Sequence, residues 1–117
     1  MAAPSGKVLH FVLTLTGSQQ TLDEVLTGSG YTDREILLEQ LWLQADEANG
    51  NPVYLGGSVQ AVSSSAWGVR IPKATSSVPE PPLLIYQSTP AGGARKLSAW
   101  RVLGTNAEKL HLTCLVL

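Results

Sequence analysis

The sequence predicts an all-β fold, a single-domain antiparallel β-sandwich or jelly roll with one short helical turn and a proline-rich loop. Three observations lead there. Short apolar stretches rich in β-branched and large residues recur along the chain, each bounded by Gly, Pro, Asn or Ser. Seven or eight of them, at this spacing, suit two packed sheets. A length of 117 residues leaves room for one core only, and there is no internal repeat or domain boundary within 1–117.

Residues 7–16 (KVLHFVLTLT) read as the first strand, ended by Gly17-Ser18. Alternation places Leu9, Phe11, Leu13 and Leu15 on the core face, with Val8, His10, Val12 and Thr14 opposite. Residues 1–6 form an N-terminal arm. Thr21-Leu22-Asp23-Glu24 has the Thr-x-x-Glu pattern of a capping box and predicts a single helical turn, closed by Gly28-Ser29-Gly30.

In the next stretch two rules conflict. Thr32-Asp33-Arg34-Glu35 is a second capping box, Ile36 to Ala45 holds strong helix formers, and Asn49-Gly50 suits a helix end. Read with period two, Leu37, Leu41, Leu43 and Ala45 share one face, broken by Glu39. Ile36, Leu38 and Trp42 share the other, broken by Gln40. A strand apolar on both sides fits a sandwich interior or a subunit contact. Helix propensity is a weak prior, and the segment is assigned as a strand.

Asn49-Gly50-Asn51-Pro52 marks a turn. Val53-Tyr54-Leu55, 58–62 and Val69-Arg70-Ile71 are short strands, the last stopped by Pro72. Residues 72–82 carry four of the seven prolines (Pro72, Pro79, Pro81, Pro82) and form a surface arm. Leu83-Leu84-Ile85-Tyr86 resumes a strand, Pro90-Ala91-Gly92-Gly93 turns, and 97–103 makes another strand. Asn106-Ala107-Glu108 turns into a closing strand over 110–116.

Composition narrows the function. Hydrophobic residues make up 44% and charged residues 15%, against about 25% charged in an ordinary soluble domain. Such a surface is expected when part of it is covered by partners. Eight basic and nine acidic side chains give a net charge of −1. There is no basic face to displace counterions from nucleic acid and no polybasic membrane anchor. The apolar stretches fall far short of the ~20 residues that cross a bilayer, and residues 1–7 lack the pattern of a signal peptide. The single cysteine, Cys114, fits synthesis in a reducing cytosol.

No constellation for catalysis stands out. Gly56-Gly57-Ser58 follows a strand, but a phosphate loop needs a helix after it and further glycines or a lysine, which are missing. A sheet corner or bulge explains these glycines. His10 and His111 lie on the first and last strands, which are often neighbours in sandwiches. Zinc needs three or four ligands, and Cys114, the remaining soft ligand, points to the face opposite His111. Asp23/Glu24, Asp33/Glu35 and Asp46/Glu47 sit beside turns or caps. No serine has a nucleophile elbow. Cys114, within LTCLV, behaves as a small buried hydrophobe. An enzyme is not expected, and neither is a metal or another cofactor. Trp42, Trp67 and Trp100 suit a core or subunit contact, or a sugar-stacking platform.

The stretch LQADEANGNPVYLGGSVQAVSSSAWGVRIP (43–72) resembles a pattern in small β-sandwich virion proteins of tailed bacteriophages. In that pattern a strand ends in polar residues, and an Asn-Gly turn and Val-Tyr-x-Gly-Gly-Ser follow. The segments 13–26 and 97–117 are similar in style to the same proteins, which include capsid decoration (cement) proteins, head-fibre bases and tail accessory proteins. The resemblance implies a strand at 36–45 and a homotrimer on the outer capsid surface, made in the host cytoplasm and bridging copies of the major capsid protein. The expected contact residues are Trp42, Trp67 and Trp100, from their apolar settings, and Pro79, Pro81 and Pro82, from the surface arm. The alternative is a head-fibre, tail accessory or carbohydrate-binding β-sandwich protein of the virion. The proline-rich 72–82 segment departs from the shorter loop of that pattern.

Overall fold

The computed structural model describes residues 7–31, 36–57, 61–73, 81–88 and 95–116. The N-terminal arm 1–6, the capping box at 32–35, Pro79 and the turn at 90–93 lie outside them.

The first strand, β1 (Lys7–Thr14), buries Phe11 and Leu13 and exposes Val8 and His10, the faces that alternation predicts. Leu15, just beyond it, is also buried. The chain then turns at Gly17, whose φ of 86° suits a residue without a Cβ. It passes through β2 (Gln20–Thr21) into α1 (Leu22–Gly28). Thr21 caps that helix, its N–H donating to the Glu24 carboxylate at 3.1 Å. Seven residues cannot hold a helix in water unaided; burial of Leu22, Val25 and Leu26 holds this one. The turn after α1 folds back on the free edge of β1. Ser29 Oγ accepts the Thr14 N–H at 2.9 Å, and the Tyr31 hydroxyl accepts that of Val12 at 3.4 Å.

The disputed segment is a strand, β3 (Leu37–Ala45). It lies inside a sheet, between β9 (Lys109–Val116) on one side and β6 (Leu83–Gln87) and β7 (Arg95–Lys96) on the other. Two ladders outweigh its helix propensity. The faces differ from simple alternation: Leu38, Leu41, Leu43 and Ala45 are buried, and Leu37 is exposed. A bulge explains the reversal, because the register against β9 shifts between Leu38 and Gln40. The extra residue restores the core face for Leu41 onward, which is why Glu39 and Gln40 interrupt both stripes in the sequence.

β4 (Val53–Gly56) and β5 (Val69–Ile71) follow as expected. The expected strand at 58–62 does not extend to Ala61 and Val62, which lie outside any strand. Val62 is instead a buried plug, and a Cβ on Gly56 would come within 2.7 Å of its Cγ2. Close packing therefore selects glycine at the end of β4. The expected single strand at 97–103 is also corrected. A 3-10 turn at Leu97–Ala99 precedes β8 (Arg101–Leu103). The turn buries Leu97 and carries the chain from β7, in one sheet, to β8, in the other.

All the pairings are antiparallel. One sheet runs β1-β9-β3-β6, with β7 also on β3; the other runs β2-β8-β4-β5. The first and last strands are neighbours. Leucines and valines from both sheets, with Leu22, Val25 and Leu26 of α1, form one core. The sandwich expected from the sequence is the fold.

Asn49 is the buried polar side chain among the described residues. Its Nδ2 donates to the Lys109 carbonyl at 2.7 Å and its Oδ1 accepts the Lys109 N–H at 3.0 Å, so the amide extends the ladder past the end of β3. Asn49→Ala should cost about 2 kcal/mol, since both backbone groups lose a partner in a half-buried site. Denaturant unfolding would measure it.

Candidate contact face and groove

The side chains of the larger sheet that alternate with its core residues make an outer face. Strand register aligns them in rows: Val8 beside Leu115, His10 beside Thr113, and Val12 beside His111. β3 continues the rows, with Trp42 beside Thr113 and Gln44 beside His111, and Leu84 of β6 lies beside Trp42. Val8, Leu37 and Leu84 are 71%, 41% and 43% exposed. Neutral residues fill the centre. Charge enters at the margins, with Glu39 in the bulge, Lys96 opposite Leu37, and Asp46 beyond Gln44. Trp42 is half-buried within this face, and its indole N–H donates to Gln40 Oε1 at 3.4 Å.

The other expected contact residues are dispersed. Trp100 packs against the core, edge-on to Tyr86 with ring centroids 5.4 Å apart. Pro81 and Pro82 are exposed ahead of β6. Trp67 is 46% exposed and lies beside Tyr54, their centroids 6.2 Å apart, on the smaller sheet's side. The three tryptophans thus occupy three environments rather than one patch.

At the end of the large sheet's outer face, adjacency of β1, β9 and β3 gathers side chains far apart in sequence. The His10 and His111 rings stack with centroids 5.9 Å apart and planes 8° from parallel. His111 Nε2 donates to Asp46 Oδ1 at 2.7 Å. Nitrogens in two parallel ring planes do not converge on a common point, and Asp46 is engaged by His111. The described residues contain no group of three or more such ligands placed to hold a metal ion. The Asp46 carboxyl is held below its ordinary value of 3.8, first by the His111 hydrogen bond and then by the Ala48 N–H. A depressed carboxylate adds stability above its unfolded pKa and loses it as pH falls through the lower, folded value. Asp46→Asn should therefore lower stability slightly at neutral pH, change little at the acid end, and so flatten a small part of the acid-side decline. The side chains are 31% and 24% exposed, so the loss should stay under about 1 kcal/mol. Thermal melts across pH 2 to 7, about the span of carboxylate titration, would show it.

Sequence reasoning missed Asp46 as the partner of His111, because its place beside a turn already accounted for it. Cys114 is buried as expected, and burial pushes its thiol up to about 11. It is thus a protonated core residue at neutral pH.

A groove of about 470 Å³ opens at one end of the smaller sheet. Gly17, Asn51, Pro52, Tyr54, Ser64 and the turn at 103–106 line it.

Compared with known proteins, the chain matches no family model, and no curated protein or solved structure is significantly similar to it.

Proposed function

We propose that this chain is a structural accessory protein that binds a repeating protein shell, acting as a capsid decoration (cement) protein on the outer surface of a tailed-phage head. The observation that supports this most is the outer face of the larger sheet. Val8, Leu37, Trp42, Leu84 and Leu115 leave apolar surface there, with neutral polar neighbours and charge at the margins. A sheet face of this kind is expected to be covered by protein. The work is mechanical and non-catalytic. As a homotrimer the chain would meet several major capsid protein subunits at once, and multivalency would multiply weak contacts. Binding the assembled lattice and not its free subunits stabilises that lattice by mass action, about 2.7 kcal/mol per site at 100 times Kd.

Sedimentation of the purified chain, alone and with empty expanded shells, tests this reading. A trimer that pellets with shells is expected. Trp42→Ser and Leu84→Ser should each weaken that pelleting while leaving the melting temperature nearly unchanged. A monomer that stays in the supernatant would overturn the proposal.

A further inference from the structure

We infer that the groove on the smaller sheet is a binding site for a neutral carbohydrate. Its lining is chemically selective. Asn51 and Asn106 offer amides, Ser64, Thr105 and Tyr54 offer hydroxyls, and Pro52 and Leu103 add apolar surface. No residue lining it carries a formal charge. Within that lining an anionic ligand such as a nucleotide or a sulfated sugar would find no counter-charge; Arg70, opposite Tyr54 across β4 and β5, stands outside it. A neutral sugar presents what the groove complements, namely a ring of hydroxyls that both donate and accept, and an apolar C–H face. Trp67 stands beside Tyr54 and is nearly half exposed, providing an aromatic surface for that C–H face.

The lining polar groups are available. Among the described residues, no hydrogen bond engages the side chains of Asn51, Ser64, Thr105 or Asn106. The backbone that holds them is fixed. Leu15 N–H donates to the Glu108 carbonyl at 2.9 Å, and Ala107 N–H to the Leu15 carbonyl at 2.8 Å, tying the far turn to the end of β1. A Cβ on Gly104 would come within 2.3 Å of Leu15 Cδ1, and one on Gly17 within 3.3 Å of Asn106 Cβ. Backbone from two turns therefore packs closely at this wall. Donors and acceptors held this way lose little freedom when a ligand arrives.

Tyr54 and Leu103 pair across β4 and β8, and Val53, Leu55 and Val102 alternate with them into the core. The groove thus lies on the side of the sandwich away from the proposed shell-contact face. The inference does not depend on that reading.

The test is a glycan array of neutral, sialylated and sulfated oligosaccharides, followed by tryptophan-fluorescence titration with the neutral glycan retained best. Retention of a neutral glycan is expected, with Tyr54→Ala and Trp67→Ala each raising Kd at least about tenfold. Asn106→Ala should weaken it too, while Trp100→Phe should not. Circular dichroism and melting temperature confirm that each variant is folded, and Tyr54→Phe gives a milder second variant at that position. Retention of acidic glycans only, no retention at all, or neutral binding that survives both Tyr54→Ala and Trp67→Ala in folded protein would overturn the inference. None of these results bears on shell binding, so the two proposals fail independently.

Discussion

A threonine inserted between Leu41 and Trp42 should prevent folding, whereas deleting Gln40 should be tolerated. Both changes alter β3 by one residue, and their opposite outcomes follow from the bulge. The insertion pushes every later side chain to the other face. Leu43 and Ala45, now in the core, would turn to solvent, while Trp42 and Gln44 would turn inward. Exposing Leu43 forfeits about 2 kcal/mol of burial, burying an unpaired Gln44 adds about 1 to 3 kcal/mol, and the large Trp42 ring strains the packing further. The sum approaches the whole stability of a small domain, about 5 to 15 kcal/mol. Deleting Gln40 removes the residue that breaks alternation. Leu38 inward, Glu39 outward and Leu41 inward then follow without a bulge, and Glu39 takes the place opposite Gln87. Unfolding midpoints for the two variants would decide the matter. If both abolish folding, the bulge is not where the register against β9 places it.

The second large effect is expected at Leu112. It lies on β9 between Phe11 of β1 and Leu43 of β3, fully buried, on the strand that joins both ladders. Leu112→Ala should cost about 3 to 4 kcal/mol, from lost burial and from a cavity whose walls, held by two ladders, cannot collapse into it. Leu115, three residues on, faces outward and is only partly buried. Leu115→Ala should cost less than about 1 kcal/mol, and any larger consequence should fall on association. Equilibrium denaturation of the two variants would separate the inner and outer faces of one strand.

Much of the sandwich was legible because most strands follow a plain period of two. The alternation in KVLHFVLT and KLHLTCLV places Phe11, Leu13, Leu112 and Cys114 inward without any knowledge of partners. The short helix was legible from Thr21 and Glu24, whose hydrogen bond is local. What sequence could not give was anything that depends on which strands are neighbours. Leu37 and Leu38 exchange faces because of a bulge set by pairing with β9, and nothing in their own chemistry signals it. The Leu97 turn has the sequence of a strand because Leu, Trp and Val suit one, while the need to cross between sheets is a property of topology. The Asp46–His111 contact joins residues 65 apart, and the groove collects four separate turns. Neither has a local signature. Only the chemical character of Trp67 and the Asn-Gly-Asn-Pro turn hinted that polar and aromatic groups would meet there.

Ser29 and Tyr31 have a consequence for how copies of this chain behave in a crowded cell. By occupying the outward N–H groups of Val12 and Thr14, they hem half of the border strand. Strand geometry aims the N–H groups of Val8 and His10 at the same edge, where no described residue accepts them. Two positions make a foothold too short for runaway zippering of strand onto strand. Edge-to-edge pairing between copies is therefore confined to the first half of this strand, whatever the apolar side of the molecule meets.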